Sequence, residues 1–175
     1  MPKAIVIEGH AIVSADGMIA DRDGGMPAAL RNDADWQRFQ QALDRAALVV
    51  LGRLGHERHP NPGRQRLVFT HSVAGLQPAG LAQYWNPEAG TLAETLAAIG
   101  VVAGTVAVTG GTGVFDYFLP HYDGFALAEV HGFVVPDGRP CFSQGHPRAV
   151  LARHGLRPAA FEMIDSGVSL THWRR

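Results

Sequence analysis

Val106-Ala107-Val108-Thr109-Gly110-Gly111-Thr112-Gly113-Val114-Phe115 is the stretch whose reading decides the fold. Its first four residues form a short apolar, β-branched run that suits a strand buried on both faces. The glycines break that run, and a helical pattern follows through Leu119 until Pro120 stops it. A strand, a glycine turn and a helix in this order let backbone N–H groups and a helix N-terminus meet a pyrophosphate. The third glycine of G-x-G-x-x-G is absent, and a purely structural turn accounts for the glycines equally well.

Similar units lie on either side. Leu48-Val49-Val50-Leu51 is a second buried strand ended by Gly52, and Arg66–Thr70 and Phe125–Val130 read as further strands. Ala4–Ile7 and Ala11–Val13 make one interrupted strand or two short ones. Asn32 is a good N-cap, and Asp33 and Asp35 place negative charge in the first turn of a helix. Trp36, Phe39, Leu43 and Ala46 recur at helical spacing as its inward stripe. Thr91-Leu92-Ala93-Glu94 has the pattern of a capping box opening a helix to about Ile99. Another helix runs near Arg148–Arg153, with Gly155 beyond its end. Phe161–Asp165 and Val168–Trp173, separated by Ser166-Gly167, form a β-hairpin. Residues 71–90, rich in Gly, Pro and Ala, have no clear assignment. The alternation of strands and helices predicts an α/β fold spanning residues 1–175 as one domain. Its mixed, mostly parallel sheet is flanked by helices in three layers and ends in a C-terminal antiparallel hairpin.

The chain has 175 residues, 46% hydrophobic and 18% charged, which supports a sizeable core without disulfide or metal staples. Its formal net charge is −1, with 15 basic and 16 acidic residues, so there is no excess positive field for nucleic acid or a membrane surface. Lys3 is the only lysine. Cys141 stands alone, which fits a reducing compartment. Met1 to His10 makes a poor leader because Glu8, Gly9 and His10 interrupt its apolar run. No stretch approaches a membrane span, so the cytoplasm is the expected location. A homodimer is compatible with this reading.

Two further positions carry candidate chemistry. Gly52-Arg53 follows a buried strand, where ligands of open α/β sheets sit, and an arginine there can grip a phosphate through two donors. Asp33 shares a helical face with Trp36 and Gln40. It either opposes the helix dipole or points into a cleft and accepts hydrogen bonds from an aminopyrimidine edge. His56-Glu57-Arg58-His59 places its histidines three apart rather than the four of H-E-x-x-H, and proline follows, so no metal is expected.

Taken together, these segments resemble the dihydrofolate reductase superfamily. Ser14-Ala15-Asp16-Gly17-Met18-Ile19-Ala20 is similar to the S-x-D-G-x-I-A stretch of riboflavin-type reductases. Gly25-Met26-Pro27 followed by Asp33 and Trp36 resembles the folate-site segment. Leu51-Gly52-Arg53, Pro62-Gly63-Arg64 and the strand ending at Thr70 resemble the next two strands and their loops. Val108-Thr109-Gly110-Gly111 with Val114-Phe115 and Phe118-Leu119 resembles the diglycine nucleotide loop, and Asp137-Gly138 with Phe142 the late loop before the hairpin. The resemblance implies an NADPH-dependent reductase acting on a pterin-like or ribosylaminopyrimidine substrate. Dihydrofolate reductase proper, or a non-catalytic nucleotide-binding module, is the alternative. It assigns the 2′-phosphate to Arg53 with Thr70 and His71, and the pyrophosphate to Gly110, Gly111, Thr112, Gly113 and Val114 beside Gly52. Ile19 and Ala20 fall near the nicotinamide, Asp33 becomes the acidic catalytic residue, Met26 and Trp36 line the substrate, and Arg64 meets a substrate carboxylate or phosphate. Departures from the pattern, at Ala28, Gly55 and Ala128, touch the substrate side more than the cofactor side.

Overall fold

The computed structural model describes residues 3–175; Met1 and Pro2, at the start of the expected domain and of the segment weighed as a leader, lie outside them. The first strands are β1 (Ile5–Ser14), β2 (Met18–Ala20), β3 (Leu48–Gly52), β4 (Arg66–Phe69), β5 (Leu76–Ala79) and β6 (Ala82–Trp85). They are followed by β7 (Gly104–Val108), β8 (Gly124–Val130), β9 (Arg139–Pro140), β10 (Arg157–Asp165) and β11 (Val168–Arg174). The helices are α1 (Asp33–Arg45), α2 (Arg53–Arg58), α3 (Leu92–Ala98), α4 (Thr112–Tyr117) and α5 (Pro147–Arg153). Nine strands form one sheet in the order β10-β11-β8-β1-β7-β3-β4-β6-β5, and β2 pairs with β9 in a small second sheet. The six strands from β8 to β6 run parallel to their neighbours; β5, β10 and β11 are antiparallel.

The strand period of two sorts the core onto both faces. Leu48 and Val50 join the larger cluster with Leu92 and Leu96 of α3, Phe115 of α4 and Leu151 of α5. Val49 and Leu51 point the other way, onto Leu43 and Phe39 of α1. Each side chain fully removed from water in this way contributes roughly 1.5–3 kcal/mol. The expected caps form: Asn32 accepts the Asp35 N–H at 2.9 Å, and Thr91 and Glu94 make a reciprocal capping box.

Four readings change. The first strand is continuous, because Glu8 and His10 turn to one face while Gly9 presses its backbone against Phe125; a Cβ at Gly9 would lie 2.3 Å from that ring. Residues 71–90 hold the β5–β6 hairpin and a 3-10 turn at Pro87–Ala89. β5 is exposed throughout and carries a proline, so it lacks the apolar alternation that marks a strand. β10 begins four residues before Phe161. Trp36 is not part of the inward stripe: it is 46% exposed, because that side of α1 borders a cleft rather than the sheet.

Candidate active site

β7 stops opposite Gly9, whereas β1 runs on beside β8 to Ser14. From His10 onward β1 therefore has a strand on one side only, and a crevice opens beyond the carboxyl ends of β7 and β3, where ligands of open α/β sheets bind. The crevice has two adjoining halves, of about 710 and 560 Å³. Ile19, Met26, Trp36, Phe39, Arg58, His59 and Thr109 belong to both.

Glycine backbone walls one half. Gly52, Gly55, Gly110, Gly111 and Gly113 line it, and a Cβ on Gly111 or Gly113 would meet nothing within 4 Å. The Gly110–Gly111 peptide is cis, and Gly110 accepts the Gly52 N–H at 2.8 Å, which ties the turn to the end of β3. The first bond of α4 is Phe115 N–H to Gly111 O, at 2.9 Å, so the N–H groups of Thr112, Gly113 and Val114 have no partner within the helix. The Thr112 hydroxyl donates to Pro140 O at 2.5 Å and so turns away from the open space. These features form a cradle of bare backbone beside a helix start; Thr112 and Gly113 line it, whereas Val114 is buried behind it, and the arrangement suits a pyrophosphate.

The other half is lined by Ile12, Ile19, Leu30, Phe39 and Trp36 together with a polar cluster. Asp33 lies at its rim, exposed at the helix start. Asp35, one turn position further in, is only 6% exposed; burial raises its carboxyl above the usual carboxylate range, opposed by a hydrogen bond from Arg38 at 2.8 Å. No bond to the second carboxylate oxygen of Asp35 occurs within the described residues. Arg38 Nη1 is also 3.5 Å from His10 Nδ1. Burial first, then the charges of Arg38, His172 and Arg174, pushes His10 down to about 3. Glu8 lies 3.4 Å from its Nε2, but desolvation wins, so the contact joins a carboxylate to a neutral imidazole. Ala128 sits in an apolar cluster with Ile12 and Leu170, and Arg38 is the partner of Asp35.

The remaining candidates divide. Ile19, Ala20, Met26, Trp36, Gly52, Gly110, Gly111, Thr112 and Gly113 all come to the cleft. Arg53, Thr70 and His71 do not line it, although Gly52 and Phe69 are register partners, so Arg53 and Thr70 leave adjacent strands side by side. Arg53 makes an exposed pair with Glu57 at 3.0 Å. Arg64 does not line the cleft, although Gln40 and Asn61 do, and its five N–H groups are engaged: with Asp44 at 3.1 and 2.6 Å, the Gln40 side chain at 3.0 Å, Asn61 at 2.7 Å and Gln40 O at 3.3 Å. His56 packs edge-on against Tyr84, and His59 tilts onto Trp36, so the two histidines serve different neighbours. The Ser14–Ala20 motif is largely a clamp: Ser14 donates to Asp16, which accepts the Val135 N–H at 3.0 Å, fastening β1 and β2 to the loop before β9.

His10, Asp35, Arg38 and Arg58 went unrecognised in the sequence. Asp35 and Arg38 did leave a trace, an acid and a base at i,i+3. His10 resembled a break in a strand.

No described helix is long and apolar enough to cross a membrane. No protein-family model matches the chain, and no curated protein sequence does. Solved structures do match. A protein assigned to riboflavin biosynthesis from Shewanella sp. PV-4 superposes with a TM-score of 0.70 at 16% identity, over 97% of this chain and 98% of its own. Dihydrofolate reductase from Enterococcus faecalis, complexed with NADP(H) and RAB-propyl, gives 0.67 at 20% identity, over 97% and 96%. A deaminase/5-amino-6-(5-phosphoribosylamino)uracil reductase from Thermotoga maritima gives 0.69 at 15% identity, over 98% of this chain and 56% of its own. The nine-stranded mixed sheet, the helices on both its faces and these superpositions together show that the chain has the dihydrofolate reductase-like fold.

Proposed function

We propose that the chain is an NADPH-dependent reductase that transfers hydride to a pterin-like or ribosylaminopyrimidine substrate. The observation that carries this reading is the joining of a side-chain-free glycine cradle to an apolar pocket containing a buried carboxylate. When bound, NADPH would supply the hydride. Gly110, Gly111 and the N–H groups of Thr112, Gly113 and Val114 would hold its pyrophosphate, with Gly52 allowing close approach. Arg53, beside Thr70 and His71, would take the 2′-phosphate at the outer edge, and Ile19 and Ala20 would border the nicotinamide.

On the substrate side, Met26 and Trp36 would cover the ring. The carboxylate that orients it is Asp33 or Asp35. Asp33 carries the motif position, but Asp35 is the buried one, and burial raises its pKa, the direction that favours proton donation. Arg38 places donors beside it, suited to a carbonyl-bearing ring edge. Arg64 has no N–H left for a substrate carboxylate, which favours the riboflavin-type reading over folate reduction. The test is loss of NADPH absorbance on adding dihydropterin, dihydrofolate or a ribosylaminouracil. Oxidation with one of these supports the proposal, and absence of both NADPH binding and turnover rejects it.

A further inference from the structure

We propose that Arg58 and Arg139 form a binding site for a phosphoryl group where the two halves of the cleft meet, taking a phosphate ester or phosphoanhydride carried by a ligand. Arg58 ends α2 and borders both halves; Arg139 opens β9 and borders the glycine-walled half. They come from elements 81 positions apart yet converge on one residue. Arg58 Nη1 donates to Gly24 O, while Nη1, Cζ and Nη2 of Arg139 lie 2.8, 2.9 and 3.2 Å from the place a Cβ on Gly24 would occupy. Gly24 has φ +87°, a left-handed conformation that disfavours a side chain, so both guanidinium groups approach bare backbone there.

Both guanidinium groups are exposed and reach the same residue, and an anion bound by both would offset their like charge. Arg38, Arg53, Arg64, Arg148 and Arg174 each have a carboxylate within ion-pair distance. Among the described residues the other nine arginines have none; of these, Arg31, Arg58 and Arg139 border the cleft, and Arg58 and Arg139 are the two that reach Gly24. Asp21, the carboxylate at the base of the same loop, is turned onto its own backbone, accepting from Asp23 N–H at 2.9 Å and Gly25 N–H at 2.8 Å. Of the five N–H groups on each guanidinium, Arg58 engages one with Gly24 O and Arg139 one with Arg22 O, at 3.3 Å. Two planar forks with two positive charges match the oxygens and the double charge of a phosphoryl group. The inference rests on the cleft being the ligand site of the proposed reductase, but the anion can come from the cofactor's pyrophosphate or from a phosphate ester on the substrate.

Calorimetric titration of the whole protein, Arg58→Gln and Arg139→Gln with inorganic pyrophosphate, NADPH, ribose 5-phosphate and ribose tests it. Each substitution should weaken pyrophosphate binding about ten-fold or more. A parallel loss for NADPH makes the phosphoryl group the cofactor's. Unchanged NADPH binding, with ribose 5-phosphate losing its advantage over ribose, makes it the substrate's. Unchanged affinities in both variants, including no binding of any of these anions by the unmodified protein, overturn the site. A lowered Tm with unchanged affinities also overturns it, and leaves the arginines as fasteners of loop 21–26. Arginine-dependent pyrophosphate binding without any NADPH binding would keep the site and reject the reductase reading instead.

Discussion

Replacing His10 by Gln should flatten the acid limb of the protein's stability profile. The imidazole is 4% exposed, and burial, followed by the charges of Arg38, His172 and Arg174, takes its pKa from 6.5 to about 3. The unfolded chain takes up a proton near pH 6.5 while the folded one does not, so stability is full above that value and falls with pH. The fall runs at about 1.4 kcal/mol per pH unit and ends near the folded pKa. Between pH 7.5 and 5.5, His10 alone should therefore remove about 1.4 kcal/mol. Urea denaturation of both proteins at the two pH values isolates this contribution, because groups titrating in both largely cancel in the double difference. The unmodified protein should lose about 1.4 kcal/mol more than the variant over that interval. Parallel losses would refute the burial argument and give control of His10 to its Glu8 contact, 3.4 Å away. The result bears on the site as well, since a neutral His10 leaves Asp35 and Arg38 to set the charge at that end of the cleft.

The two helix-start carboxylates separate by substitution: Asp35→Asn should lower turnover on the order of a hundred-fold at nearly unchanged NADPH affinity. Asp33→Asn should cost only about 0.3–1 kcal/mol of stability if it serves the helix dipole, and a comparable loss of turnover there would return the catalytic role to Asp33. Gly110→Ala would set a Cβ 2.6 Å from the Phe115 ring at φ +100°, costing roughly 2–5 kcal/mol in denaturant titration. Gly111→Ala, with open space around it, should fold normally but lose NADPH binding, and retained binding would place the pyrophosphate elsewhere. Arg53→Ala should erase a ten- to hundred-fold preference for NADPH over NADH, as expected of about 1.5–3 kcal/mol from a charged contact; equal binding of the two cofactors by the unmodified protein would end that assignment.

The buried strands at Leu48–Leu51 and Val106–Thr109, the Asn32 cap, the Thr91–Glu94 capping box and the final hairpin were legible in the chain itself, because each depends on side-chain period and hydrogen bonds among near neighbours. So was the glycine turn, whose position needs only a strand before it and a helix after it. The exposed β5 was not, since a strand without an apolar face leaves no period to read. What the cleft contains was decided by tertiary structure. β7 ends at the level of Gly9, and that mismatch in strand length makes His10 a wall of the pocket instead of a strand interior. The axial rotation of α1 against the sheet buries Asp35 and leaves Trp36 and Asp33 at the mouth. Arg64, in a motif suited to anions, is saturated by Asp44, Gln40 and Asn61, while Arg58 and Arg139, far apart in sequence, both reach Gly24. Burial and pairing depend on which distant segments the fold makes neighbours, so residues of the same type receive different chemistry from positions that the chain alone does not distinguish.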